Sequence, residues 1–301
     1  STNIIQLHNK EQFMDRYSSL MKRAKDGECI LIDGATGTEV ERRGVPQHKN
    51  AWNGAAALSH PEILRQVHED YINLGAEIVI SNTFSTNKHA LSDAEQGHNF
   101  EALNERAVKL AVEAREHLNK DNVLVAGGIS YWTWTDNKPS LDELNASITQ
   151  QAKIMADAGA DLIMLEMMAD IEKMMTTLKA AQASGLPIWV GLSCEPDQSQ
   201  KMCLLDGNSL EDAILELKPH NPDVINIMHT EVEYVDQCLD ILQNEWDGHI
   251  GVYAHSGTSI DGDWTFNNII SAEEYCAYSS KWKQRGINFI GGCCGVHTDH
   301  I

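Results

Sequence analysis

The chain has 301 residues, 42% of them hydrophobic, which is enough for one large core and does not require two domains. Its 44 acidic and 23 basic side chains give a formal charge of -21, which repels nucleic acid and anionic membrane and argues against both as partners. Seven cysteines lie between Cys29 and Cys294 without the dense spacing of a stapled secreted domain, and no run approaches the roughly 18 apolar residues of a bilayer span. With no basic segment leading into an apolar run near Ser1, the expected setting is reducing and cytoplasmic.

In chain order, residues 8–26 read as a leading helix, placed to cap one end of whatever follows. Apolar, β-rich runs then recur at Cys29 to Ile32, Ile78 to Ser81, Val123 to Ala126, Leu162 to Leu165, Ile188 to Leu192, Val224 to Met228, Ile250 to Ala254 and Ile287 to Ile290. Between them lie amphipathic stretches: Pro61 to Leu74, Phe100 to Leu118, Asn145 to Ala158, Ile171 to Ala183, Ser209 to Leu217, Tyr234 to Leu242 and Ala272 to Arg285. Their apolar positions recur at three and four, as in Leu64, Val67, Tyr71 and Leu74, and Asp170, Asn208 and Ser271 stand where helix caps belong. The basic patches at Lys281 to Arg285 and Glu41 to Arg43 are mixed with polar or acidic neighbours and read as solvated surface.

Eight largely apolar strands with helices between them imply parallel strands covered on the outside, and a single-domain (β/α)8 TIM barrel uses all of them. The doubly wound alternative is disfavoured, because Asp33-Gly34-Ala35-Thr36-Gly37-Thr38 lacks the phosphate-binding glycine spacing followed directly by a helix. In such a barrel the reactive groups lie beyond the C-terminal strand ends. Asp33, Thr83, Glu166, His229, His255 and the pair Cys293-Cys294 each follow or end a different strand, so all are expected at one mouth.

The sharpest of these is Gly291-Gly292-Cys293-Cys294-Gly295. Vicinal cysteines do not readily bond to each other, since ordinary disulfides want a Cα separation of about 4.4 to 6.8 Å. Two thiolates on a glycine-flanked turn can instead share a soft metal, and zinc is the expected one, although a pair of small buried residues closing a core would give the same sequence. A catalytic zinc needs a third protein ligand and an open position, and His229 is the best third ligand, with His255 as competitor or as its hydrogen-bond partner. Asp33 and Glu166 would then recognise a cationic substrate group, or be ordinary strand-end carboxylates.

These motifs, together with His60-Pro61-Glu62 and Ser81-Asn82-Thr83-Phe84, resemble the zinc-dependent homocysteine S-methyltransferase family. The resemblance runs over most of the chain and implies a (β/α)8 barrel in which zinc binds the thiol of homocysteine and a methyl donor is attacked to form methionine. It implies Cys293 and Cys294 as zinc ligands, Asp33 (with Gly34 beside it) and Glu166 as holders of the amino group, Thr83 on a loop lining the pocket, and Trp52 against the donor. The first zinc cysteine of the family falls at His229, and Tyr253-Ala254-His255-Ser256-Gly257 departs from the family pattern as well. An imidazole in place of a thiolate makes the bare site one unit less negative, so the thiol acceptor and donor are less tightly specified.

Tyr131, Trp132 and Trp134 follow the third strand and can cradle a sulfonium or quaternary ammonium, or serve as a hydrophobic lid or as a contact in a homo-oligomer. The partners expected are therefore a small thiol acceptor and a cationic methyl donor, S-methylmethionine ahead of dimethylsulfoniopropionate, with glycine betaine close behind. Two other readings stand beside this one: a zinc hydrolase or lyase on the same barrel, and a non-enzymatic metal protein whose fourth ligand closes the site.

Overall fold

The computed structural model describes residues 16–256, 258–260, 263–265, 270–292 and 298–301. Eight parallel strands succeed one another around a ring: β1 (Ile30–Leu31), β2 (Ile78–Ile80), β3 (Leu124–Ile129), β4 (Leu162–Met168), β5 (Ile188–Leu192), β6 (Val224–Glu231), β7 (His249–His255) and β8 (Phe289–Gly292). Strand β8 returns to pair with β1, and the parallel bridge Ile32↔Ile78 joins β1 to β2 and closes the ring. The chain is a single-domain (β/α)8 barrel, as the alternation of apolar runs and amphipathic stretches predicts.

Side chains alternate along each strand and thereby build two cores. Ile78 and Ile80, Leu124 and Ala126, Leu162 and Met164 join Trp189 and Phe289 inside the barrel, while Val79, Val125, Ile163 and Val190 pack outward against the helices. Each such fully buried aliphatic side chain contributes about 1.5–3 kcal/mol relative to exposure.

Among the described residues the longer covering helices run over Pro61–Asn73, Phe100–His117, Leu141–Asp157, Ile171–Ala181, Val232–Glu245 and Ala272–Gln284. The one over Leu141–Asp157 begins four residues before the expected Asn145, because Ser140 and Glu143 form a reciprocal capping box with the backbone. Ser271 and Glu274 do the same for Ala272–Gln284. The cap expected at Asn208 falls one residue later: Ser209 accepts from the Asp212 amide, and the Asn208 side chain accepts from the Ile171 amide at 2.9 Å. Two antiparallel hairpins follow strands of the barrel, Cys194–Pro196 with Met202–Leu204 and Thr258–Ile260 with Asp263–Thr265.

Of the expected leading helix, residues 16–25 are helical, and residues 8–15 lie outside the described residues. Tyr17, Leu20 and Ala24 join the interior core, so this helix plugs the barrel at the N-terminal ends of the strands. Tyr17 donates to Asp223 at 2.5 Å and accepts from the indole of Trp189 at 2.9 Å, satisfying both polar atoms in a dry setting.

The same end carries a buried ion cluster. Asp161 accepts from Arg115 at 2.7 Å, from Arg16 at 3.0 Å and from the Val125 amide at 2.7 Å. Removing one member of such a cluster strands the others in low dielectric, which typically costs about 3–5 kcal/mol. Asp161→Ala is therefore expected to lower the urea midpoint strongly with little change elsewhere in the barrel, and a midpoint within error of the parent would refute this role.

Candidate active site

The opposite end of the barrel opens into a cavity of about 550 Å³. Its floor and walls bring together Asp33, Gly34, Glu166 and His229 with Trp52 and Trp132. Thr83, Tyr131 and His255 are not on its wall. Thr83 is buried and spends its hydroxyl on the Gly128 carbonyl at 2.5 Å, whereas its neighbours Ser81, Asn82 and Phe84 face the space. Tyr131 is turned into the protein, where its hydroxyl oxygen accepts from the Ala169 and Asp170 amides at 2.6 and 3.1 Å. His255 lies behind His229, with ring centroids 4.4 Å apart and planes tilted by 47°. Cys293 and Cys294 lie outside the described residues, and Gly292, which immediately precedes them, is on the cavity wall.

Asp33, just past β1, is held by the two strands that flank it. Its carboxylate accepts from the Ile80 amide at 2.9 Å, its own amide donates to the Ile78 carbonyl at 2.9 Å, and its carbonyl accepts from the Gly292 amide at 3.0 Å. Burial pushes its pKa well above the usual carboxylate range; the Ile80 amide opposes that rise, and the neighbouring Glu166 adds to it. Glu166 is pushed up to about 8, by burial. Burial thus biases both acids toward the protonated form, and a nearby cation would oppose that bias.

Glu166 and His229 do not sit on regular strand. Register shifts fall between Leu165 and Met168 in β4 and between Met228 and Glu231 in β6. Met167 (φ 56°) and His229 (φ 42°) occupy the left-handed region that residues with a Cβ seldom adopt. The two irregularities are tied together, since the Met167 amide donates to the Met228 sulfur at 2.8 Å. Ser193 and Thr230 both donate to the Met228 carbonyl, at 3.0 and 2.8 Å, fixing the backbone just before His229. Strain held in place by surrounding bonds is a feature of functional sites, and here it aims one acid and one imidazole into the cavity.

His229 is buried, and that burial, with a smaller effect of the adjacent His255, holds its pKa well below the usual value. Burial likewise lowers His255 to about 4. A neutral imidazole is the form that ligates zinc, so His229 fits the expected metal in the direction of its pKa shift and in lining the cavity together with Gly292. Among the described residues no group of three His, Cys, Asp or Glu side chains is gathered to hold a metal; the two cysteines needed to complete the set are outside them.

The rim is aromatic. Phe84 meets Trp52 edge-on at 6.4 Å and Trp134 edge-on at 6.1 Å. Trp52 takes φ 46° and lays its indole against Gly37, where a Cβ would collide with the ring. Phe84 belongs to the site although only its motif was singled out in the sequence. Glu41, expected on a solvated surface, is a wall residue instead, receiving Gln47 at 2.6 Å and the Trp52 indole at 3.4 Å.

The raised pKa of Glu166 links stability to pH. Its folded carboxyl keeps a proton up to about pH 8, while the unfolded group releases it near 4.5. Between those values the native state carries the extra proton, so its stability falls as pH rises, by up to about 1.4 kcal/mol per pH unit. Glu166→Gln, which cannot ionise, is expected to melt above the substrate-free parent at pH 8 and level with it at pH 5. A gap that does not change with pH would contradict the assignment.

Comparison with known proteins gives the family and the fold. The family model described as homocysteine S-methyltransferase matches residues 30–301. The chain is 26% identical over 299 residues to homocysteine S-methyltransferase YbgG of Bacillus subtilis, covering 90% of this chain and 92% of that one. It is 24% identical over 315 residues to selenocysteine methyltransferase of Astragalus bisulcatus, covering 91% of each. The metallated homocysteine methyltransferase MmuM from Escherichia coli shares the fold, with a TM-score of 0.73 at 24% identity over 90% of this chain and 93% of that one. The chain belongs to the homocysteine S-methyltransferase family.

Proposed function

We propose that this protein is a zinc-dependent thiol S-methyltransferase that moves a methyl group from a small onium donor to homocysteine, forming methionine. The observation that carries the reading is the convergence of two buried carboxyls, a neutral imidazole and an aromatic rim on one barrel mouth, in a chain of this family. Zinc, when held by His229, Cys293 and Cys294, supplies a Lewis-acidic position that lowers the pKa of a bound thiol.

The remaining work falls to the chain's own residues. Asp33 and Glu166 take the α-ammonium group of the acceptor, and the burial of both carboxyls strengthens the resulting charge pairs. Trp52, Phe84 and Trp134 offer π faces to the methylated cation, each worth about 0.5–2 kcal/mol. Tight orientation of the two reactants replaces a bimolecular encounter with an in-line one. The acceptor sulfur forms a bond to the methyl carbon as the carbon–sulfonium or carbon–ammonium bond breaks. The electron pair of that bond leaves on the donor heteroatom, which departs neutral, so no acid is needed to protonate it. His255, packed against the back of His229, steadies the imidazole and stays out of the reacting space.

Metal content and acceptor kinetics test the reading together. His229→Ala is expected to drop zinc from about one equivalent to a small fraction, while His255→Ala retains it. Glu166→Gln should raise the KM for homocysteine by about ten- to a hundredfold and leave the KM for a thiol lacking the amino group unchanged. Full zinc in His229→Ala would remove it as a ligand. No methyl transfer from any sulfonium, betaine or corrinoid donor by the zinc-loaded protein would end the methyltransferase reading.

A further inference from the structure

Among the described residues on the cavity wall, Lys49 is the only lysine or arginine. It sits on a tight turn with Trp52: the His48 amide donates to the Trp52 carbonyl at 2.5 Å, and Asn50 (φ 66°) joins Trp52 in the left-handed region. The Asn50 side chain donates to the Asp93 carbonyl at 3.3 Å, pinning the turn to the neighbouring loop. Two strained residues without glycine's freedom are thus held so that an ammonium and an indole share one rim.

The Lys49 ammonium makes no ion pair or hydrogen bond among the described residues. Glu41, the acid on the same rim, is already engaged by Gln47 and Trp52. Among the described residues, a zwitterion entering this cavity meets acids at the floor, π faces at the side and the Lys49 ammonium at the mouth. Coulomb's law draws its carboxylate toward Lys49 at the mouth, while its onium group rests against the π faces.

We propose that Lys49 is a specificity-determining residue that receives the carboxylate of a zwitterionic methyl donor while its onium methyl group rests against Trp52. This rests on the methyl-transfer reading above and assigns the residue that would hold the carboxylate common to the expected donors. The donor is favoured over the acceptor as the source of the carboxylate because Lys49 shares its turn with the aromatic rim, and the acceptor's ammonium is drawn to the floor.

The test compares the parent enzyme with Lys49→Met and Lys49→Arg, using dimethylsulfoniopropionate and the carboxylate-free ethyldimethylsulfonium. Lys49→Met is expected to raise the KM for dimethylsulfoniopropionate by about three- to tenfold, with the KM for ethyldimethylsulfonium and for homocysteine unchanged. Lys49→Arg should recover most of the loss, and the parent's preference should shrink at high salt. Equal losses with both donors, or a change in the homocysteine KM alone, would overturn the proposal. Calorimetric titration of dimethylsulfoniopropionate into the same three proteins separates this claim from the reaction itself. Weaker binding to Lys49→Met by the same factor supports Lys49 even in a protein that transfers no methyl group, and equal affinity refutes it.

Discussion

The interaction on which the molecule turns is the grip of two strands on Asp33. Its amide and carboxylate engage β2 on one side and its carbonyl engages the end of β8 on the other. The ring closes at this seam, where Ile32 bridges to Ile78, so barrel closure and acid placement are one event. Gly291 has to be a glycine here, because a Cβ would come within 2.6 Å of the Asp33 carbonyl. Closing the barrel therefore buries a carboxyl that water no longer solvates and leaves it needing a cation.

The same logic extends around the mouth. Glu166 and His229 reach the cavity only because β4 and β6 each break register, and the Met167–Met228 contact makes those breaks interdependent. The result is a pocket whose free form is electrostatically unsatisfied: two acids above their usual pKa and an imidazole below its own. Such burial costs stability, which a ligand able to restore those charges would return. The plug of Tyr17 and Trp189 and the Asp161 cluster secure the far end of the barrel, leaving the mouth to be shaped by its ligands.

The strands were legible in the sequence because a parallel sheet buried on both faces writes continuous apolar runs, and their order followed from chain connectivity. Asp33, Glu166 and His229 were placed on one mouth by their positions at strand ends, whereas Trp52 came from the family resemblance and Trp132 from the aromatic cluster after the third strand. Local bonding was harder to read. Nothing in Thr83 announces that its hydroxyl is committed to Gly128, or in Tyr131 that its ring turns inward to the Ala169 amide. Glu41 read as solvated surface and Lys49 was not singled out, yet both line the cavity, Lys49 on the turn from His48 to Trp52. The register breaks at Met167 and His229 carry no glycine to mark them, so Glu166 read as the end of a strand that in fact runs on to Met168.

The central claim is that the mouth is completed by a mixed imidazole–thiolate zinc with one position open to a thiol. Zinc X-ray absorption on the loaded protein addresses it directly, because scattering from nitrogen at about 2.0–2.1 Å and sulfur at about 2.3 Å separates the two ligand types. The account predicts one imidazole nitrogen and two sulfurs in the resting protein, rising to three sulfurs when homocysteine is added. A shell holding two imidazoles and two sulfurs that ignores homocysteine would contradict it, because His255 would then have closed the position that the chemistry requires.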